Sequence, residues 1–209
     1  MQADRLKISL IGRQFIVSGW GKAGHVTISN NEFDGVTEWS SGCNGKHYWT
    51  ALLIGEDDRY TFSGNWLHDV SGRAPHMGTD KTESGIFFHA VNNYFQNIGG
   101  HAFDIDTNTW SLLEGNYFEK VDTPLTETSL ASGALLYNVP DETAAGACEA
   151  AVGYVCEWNR VDEGSGEWTA KTDQDVLTRA GEFQESLVEH YGVAEVPKKV
   201  VASAGVGKL

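Results

Sequence analysis

Seven histidines, three cysteines and two acidic clusters are the side chains of this 209-residue chain that could hold a metal ion. Their spacing does not support that chemistry. The histidines are scattered, no pair sits at the interval of a helical zinc motif, and neither a Cys-x-x-Cys nor an EF-hand loop occurs. Asp104 and Asp106 fall on one face of a strand and Glu56-Asp57-Asp58 form an acidic turn, patterns that fit solvated carboxylates better than calcium ligands. Nucleophilic catalysis fares no better: there is no Gly-x-Ser-x-Gly elbow, and nothing around Cys43 marks an activated thiol. What remains is arginine. Only six occur, and two of them, Arg13 in Ile11-Gly-Arg-Gln-Phe-Ile-Val17 and Arg73 in Ser71-Gly-Arg-Ala-Pro-His76, interrupt otherwise strand-like stretches. Taken alone, each suits a surface or salt-bridging role.

The elements that must position these residues follow a loose repeat. Val26-Thr-Ile-Ser-Asn-Asn31-Glu-Phe33 returns as Tyr60-Thr-Phe-Ser-Gly-Asn65-Trp-Leu67, as Phe88-His-Ala-Val-Asn-Asn93-Tyr-Phe95 and as Ser111-Leu-Leu-Glu-Gly-Asn116-Tyr-Phe118. Each unit sets an Asn two residues before an aromatic or Leu, at spacings of 34, 28 and 23 residues. A shortest period in the low twenties with insertions predicts stacked solenoid coils carrying loops on one face. The runs between turns are short and rich in Val, Ile, Thr, Phe and Tyr, so the coils are strands rather than helices. Asn tolerates left-handed backbone, and its amide can donate to one coil while accepting from the next. Stacked Asn and aromatic ladders inside a parallel β-helix are therefore expected, with an antiparallel β-sandwich as the alternative.

The C-terminal third differs. Residues 123–171 read as long loops with one strand at Ala134-Leu-Leu-Tyr137, and Asp173 to Tyr191 reads as a helix ended by Gly192 and Pro197. The division expected is 1–125 for the coils and cleft loops, and 126–209 for the last coil, a cysteine loop, the helix and a tail over the solenoid. A formal net charge of −14 argues against nucleic acid and anionic lipid as partners. No run of the roughly 18 apolar residues needed to span a membrane appears, and Met1 to Leu10 does not read as a secretory signal. Cys148 and Cys156 are near enough to close a small loop, which leaves Cys43 without an obvious partner; three reduced thiols are the other reading.

Several segments, in order and at matching spacing, carry a family resemblance: Ile11 to Val17, Cys43-Asn-Gly-Lys-His-Tyr-Trp49, Gly64-Asn-Trp-Leu67 with Ser71-Gly-Arg-Ala-Pro75, and His89-Ala-Val-Asn-Asn-Tyr-Phe95. Gly100-His-Ala-Phe103, Glu114-Gly-Asn-Tyr-Phe118 and the Cys148/Cys156 pair continue it over nearly the whole chain. Together they resemble the fungal pectin lyases, members of a polysaccharide-lyase superfamily of right-handed parallel β-helices that also holds the calcium-dependent pectate lyases.

The resemblance implies all-β architecture and metal-independent β-elimination on methyl-esterified homogalacturonan, with no cofactor. By it, Arg73, followed by Pro75, is the base that takes the C5 proton of a galacturonate methyl ester. An ordinary guanidinium is a very poor base, so such a role needs neighbouring cations or desolvation. Arg13 matches the arginine standing where pectate lyases carry acidic calcium ligands, and would stabilise enolate charge in place of a metal. Trp49 matches a cleft tryptophan, with Tyr48, Trp39 and Trp66 as nearby candidates, Pro75 as a further substrate contact, and His47 and His76 as residues that line a cleft or serve structure. Flat rings stack on sugar faces and suit an uncharged polymer.

The resemblance also implies a longer parent: a secreted, monomeric enzyme whose earlier coils precede this segment and carry the partner of Cys43. Asp4 matches an acidic residue of the family, but the adjoining histidine is replaced here by Arg5. A catalytically incompetent fragment that only binds pectin, a calcium-dependent pectate lyase and an unrelated β-solenoid adhesin are the competing readings.

Overall fold

A computed structural model describes residues 1–80 and 85–208. Strands dominate its first part: β1 Gln2–Asp4, β2 Lys7–Ser9, β3 Ile16–Gly19, β4 His25–Ser29, β5 Glu32–Asp34, β6 Ala51–Ile54, β7 Asp58–Ser63, β8 Trp66–His68, β9 His76–Met77, β10 Ile86–Val91, β11 Tyr94–Ile105, β12 Thr109–Glu114 and β13 Tyr117–Leu125. Short elements follow: α1 Glu127–Ala131, β14 Leu135–Tyr137, α2 Glu142–Ala147, α3 Glu149–Val152, β15 Arg160–Val161, α4 Gln174–Gly181 and α5 Val196–Ser203.

Every ladder between these strands is parallel, and they form three sheets that the chain visits in rotation. Sheet A runs β1-β4-β7-β10-β12-β14. Sheet B runs β2-β5-β8-β11-β13-β15, and sheet C runs β3-β6-β9 to the last residues of β11. This is the parallel β-helix that the repeat predicts. Inward side chains of all three sheets meet in one apolar column that includes Val26, Ile28, Phe33, Tyr60, Phe62, Phe88, Phe95 and Phe118.

The asparagine ladder is present and has one rung more than the repeat shows. Asn31 Nδ2 donates to Asn65 Oδ1 at 3.0 Å. Asn65 donates to Asn93, Asn93 to Asn116, and Asn116 to Asn159, each at 2.9 Å. The left-handed residue is not the ladder Asn but the one before it: Asn30, Gly64, Asn92 and Gly115 have φ of 53°, 63°, 52° and 59°. That residue turns the chain between sheets A and B, and the buried amide behind it satisfies the backbone the turn leaves unpaired. Phe33, Leu67, Phe95 and Phe118 stack in register two residues on, all fully buried.

The C-terminal third is less irregular than its sequence. The strand at Leu135–Tyr137 is there, but α1, α2 and α3 occupy stretches read as loop. At four to six residues they are too short to show a helical period, and side-chain caps hold two of them: Asp141 accepts from Ala144 N at 2.8 Å, and Thr126 accepts from Ser129 N. The expected helix begins on schedule and stops at Gly181, ten residues early. Pro197 does not end a helix; it sits in the first turn of α5, where its missing N–H costs nothing. Among the described residues, five short α-helices thus stand in a chain for which one long helix was expected.

These additions decide which face of the solenoid is open. α2, α3 and α4 cover sheet A, burying Phe87, Leu112, Tyr137, Val176, Leu177 and Phe183. α5 covers part of sheet B, where Val196, Val200 and Ala204 pack with Tyr94, Trp66 and Tyr117. Val17 and Trp20, at the near end of sheet C, remain largely exposed. Among the described residues no helix is long and apolar enough to cross a membrane.

Candidate active site

The turns that lead into the strands of sheet C bring four of the sequence-derived candidates together. Arg73 precedes β9 with φ of 52°, and the cis Ala74–Pro75 bond follows it. Its segment is stapled to the coils on both sides. Ala51 N donates to Arg73 O at 2.8 Å, Thr50 Oγ1 to Gly72 O at 3.0 Å, Ala74 N to Ala102 O at 3.1 Å and Asp104 N to Pro75 O at 3.0 Å. Gly72 is required for packing: a Cβ there would lie 2.7 Å from Tyr48 Cε2 and 3.0 Å from His101 Cε1. Because it has none, both rings close around the base of Arg73.

The Arg73 guanidinium carbon lies 5.7 Å from the Tyr48 ring centre, and its Nε is buried without a hydrogen-bond partner. Tyr48 meets Trp49 edge-on at 5.7 Å, and the Arg13 guanidinium carbon lies 5.3 Å from the Trp49 ring. Two arginines are thus held over two adjoining aromatic faces. Cation–π contact orients a guanidinium without neutralising it as a carboxylate would. Among the described residues, neither arginine is in an ion pair.

His47 has a different part. Its ring is buried, stacks on Phe15 at 4.6 Å, and directs Nε2 at the carbonyls of Arg13 and Trp49. It ties the Arg13 segment to the Trp49 segment and presents no face to solvent. Pro75 is likewise buried, beneath the site. Trp39 is 89% exposed on the loop of residues 36–46. Trp66 lies against His68 at 4.2 Å on sheet B, away from sheet C.

Three residues join the site that the sequence did not assemble. Asp104, in register with His76, is no solvated turn carboxylate. Its Oδ2 takes a hydrogen bond from His76 Nδ1 at 2.6 Å and lies 3.7 Å from His101 Nε2, while Thr126 Oγ1 donates to Oδ1 at 3.1 Å. Burial acts to raise the Asp104 pKa, but the His76 hydrogen bond, the two histidine charges and Thr126 hold it below the usual carboxylate value. His101 meets Tyr48 edge-on at 5.7 Å. Burial, then the positive charges of Arg73 and His76, push its pKa below the ordinary histidine value against the pull of Asp104. A neutral imidazole therefore sits beside Arg73 near neutral pH. The pairing of positions 76 and 104 depends on coil lengths that no sequence pattern discloses.

A second polar cluster lies on sheet B. Glu32, Asp34 and His68 each offer a ligand atom, all within 4.8 Å of one another. Lys7 Nζ already sits 2.7 Å from Glu32 and 3.1 Å from Asp34, so a cation there would have to displace an ammonium. Cys148 and Cys156 form a disulfide with Cα atoms 5.7 Å apart, and Cys43 is free and exposed.

A family model described as Pectate lyase matches residues 16–185. A probable pectin lyase F-1 from Aspergillus terreus is 77% identical over 206 residues, covering 99% of this chain and 53% of the relative. A probable pectin lyase E from Aspergillus fumigatus is 74% identical with the same coverage. The chain thus spans about half the length of these curated relatives. Among solved structures, a pectate lyase variant from Xanthomonas campestris superposes with a TM-score of 0.51 at 18% identity, over 99% of this chain and 69% of that one. A mutant of pectate lyase C in complex with pentagalacturonic acid also gives 0.51, at 19% identity, over 89% of this chain and 48% of that one. These two likenesses concern the fold. The match of the family model to most of the chain carries the assignment, and the chain belongs to the pectate lyase family.

Proposed function

We propose that this segment carries the catalytic pair of a pectin lyase, cleaving methyl-esterified homogalacturonan by β-elimination. The observation that supports it best is Arg73 itself: a guanidinium fixed on a stapled turn, beside a tyrosine and a histidine, with no carboxylate among the described residues paired to it. Arg73 takes the C5 proton of the ester-bearing sugar, and the C–H electron pair moves into the ester to give an enolate. Arg13 faces the developing oxyanion and stabilises it. The enolate then collapses to a C4–C5 double bond and expels O4, which leaves on C1 of the non-reducing-side chain and is protonated by solvent or by the guanidinium that took the C5 proton. Tyr48 and Trp49 offer ring faces to the sugars on either side.

Calcium, which serves the pectate lyases of the resemblance, does not fit this donor set. The groups that converge are two guanidinium groups, two imidazoles and Asp104, both of whose oxygens are engaged. A hard cation needs several free oxygens in such a place. The net charge of −14 also favours a neutral ester over polygalacturonate as partner. In this reading the protein acts outside a fungal cell, on plant cell-wall polymer, as a monomer. The experiment is ultraviolet absorbance of the conjugated product from highly esterified pectin, with a chelator present. Turnover that persists with chelator and disappears in Arg73→Ala of unchanged circular dichroism supports the reading. Turnover confined to unesterified polygalacturonate, or retained in Arg73→Ala, overturns it.

A further inference from the structure

We propose that the cavity on sheet C beside His76 is a separate subsite for an uncharged, methyl-esterified uronate unit. The inference rests on the polymer substrate argued above. The cavity is about 370 Å³, a size typical of small-ligand sites, and Trp20, Leu52, Ile54, His76, Asp80 and Asp106 line it. These residues come from four successive coils, so at the strand spacing of about 4.8 Å the cavity runs roughly 14 Å along the stacking axis, as a chain of sugars would.

Its chemistry has two parts. The floor is apolar: Leu52 and Ile54 point outward from β6, and Trp20, 80% exposed, supplies an aromatic ring. The aliphatic stems of a core would be hidden; these are open to a ring face and an ester methyl. The wall is acidic. Asp106 stands close because Gly78 has no side chain, a Cβ there falling 2.7 Å from Asp106 Cβ, and Asp80 borders the same space. Carboxylates accept hydrogen bonds from sugar hydroxyls and repel a free uronate. Floor and wall therefore select the same feature, the ester over the acid, at a distance from the reacting carbon. His76 joins this cavity to the Arg73 site through Asp104.

The test is calorimetric binding of fully methyl-esterified and unesterified oligogalacturonates to the intact chain. The ester should bind, and Trp20→Ala should weaken it about 3- to 10-fold, the equivalent of one aromatic contact. Asp80→Asn with Asp106→Asn should narrow the preference for ester over acid by about tenfold, since it removes like-charge repulsion. Ester binding unchanged in a folded Trp20→Ala variant overturns the subsite and leaves the Arg73 reading standing. Binding with these sensitivities but no turnover supports the subsite and overturns the Arg73 reading. Binding that requires a divalent cation overturns the proposal in favour of an ion between Asp80 and Asp106. Failure of both oligomers to bind overturns it as well.

Discussion

Replacing Asn93 by Ala cuts the asparagine ladder at its centre. The side chain is fully buried and makes four hydrogen bonds: it accepts from Asn65 N at 3.0 Å and from Asn65 Nδ2 at 2.9 Å. It donates to Phe62 O at 2.7 Å and to Asn116 Oδ1 at 2.9 Å. In the variant Asn116 Oδ1 keeps the backbone N–H of residue 93, at 3.1 Å, so it is not orphaned. Asn65 loses the acceptor for its backbone N–H and for one amide hydrogen, and Phe62 O loses a donor. An unsatisfied buried group costs about 1–3 kcal/mol, so three such losses sum to roughly 3–9 kcal/mol. That is a large share of the roughly 5–15 kcal/mol that holds a typical domain together. Urea unfolding followed by tryptophan fluorescence measures it. Asn93→Asp should cost at least as much as Ala, because it buries a carboxylate whose second oxygen faces the acceptors Phe62 O and Asn116 Oδ1. A loss below about 1 kcal/mol for Asn93→Ala, or a smaller loss for Asp than for Ala, refutes the ladder as a structural support.

His76→Ala releases the Asp104 carboxylate toward the Arg73 side; an ion pair there would disfavour the neutral base, so kcat should fall with little change in KM, and adding Asp104→Asn should restore part of it. Steady-state rates on esterified pectin decide this, and an equal fall without recovery refutes the idea that His76 sequesters Asp104. Glu114 is fully buried, accepts from His89 Nε2 and Tyr154 Oη at 2.7 Å and from Glu157 N at 3.2 Å. Burial works to raise its pKa, but these bonds and the His89 charge hold it below the ordinary glutamate value. A lowered folded value stabilises above the unfolded pKa and is lost as pH falls through the folded one, so melting temperature should drop below about pH 4.3 and flatten in Glu114→Gln. An unchanged slope in that variant refutes it. Removing the Cys148–Cys156 bridge, which spans eight residues, should cost about 2–3 kcal/mol and be visible as a lowered urea midpoint on reduction; no shift refutes the estimate.

The sequence alone determined the coil and its four regular ladder positions, and it singled out the cysteine pair and the two arginines. Each is local: a strand, a turn Asn and an aromatic recur within eight residues, and Arg13 and Arg73 stand in short motifs. The fifth rung, Asn159, escaped because Val161 replaces the aromatic partner and the spacing jumps to 43 residues. What tertiary structure decided is which coil neighbours meet across irregular insertions. It set Asp104 against His76, closed His101 and Tyr48 over Gly72, and buried His47 and Pro75, which the resemblance offered as substrate contacts. It also laid helices over sheets A and B, leaving the chemistry beside sheet C. Such pairings follow from the path length of each coil and from burial, and a local pattern of residue types encodes neither.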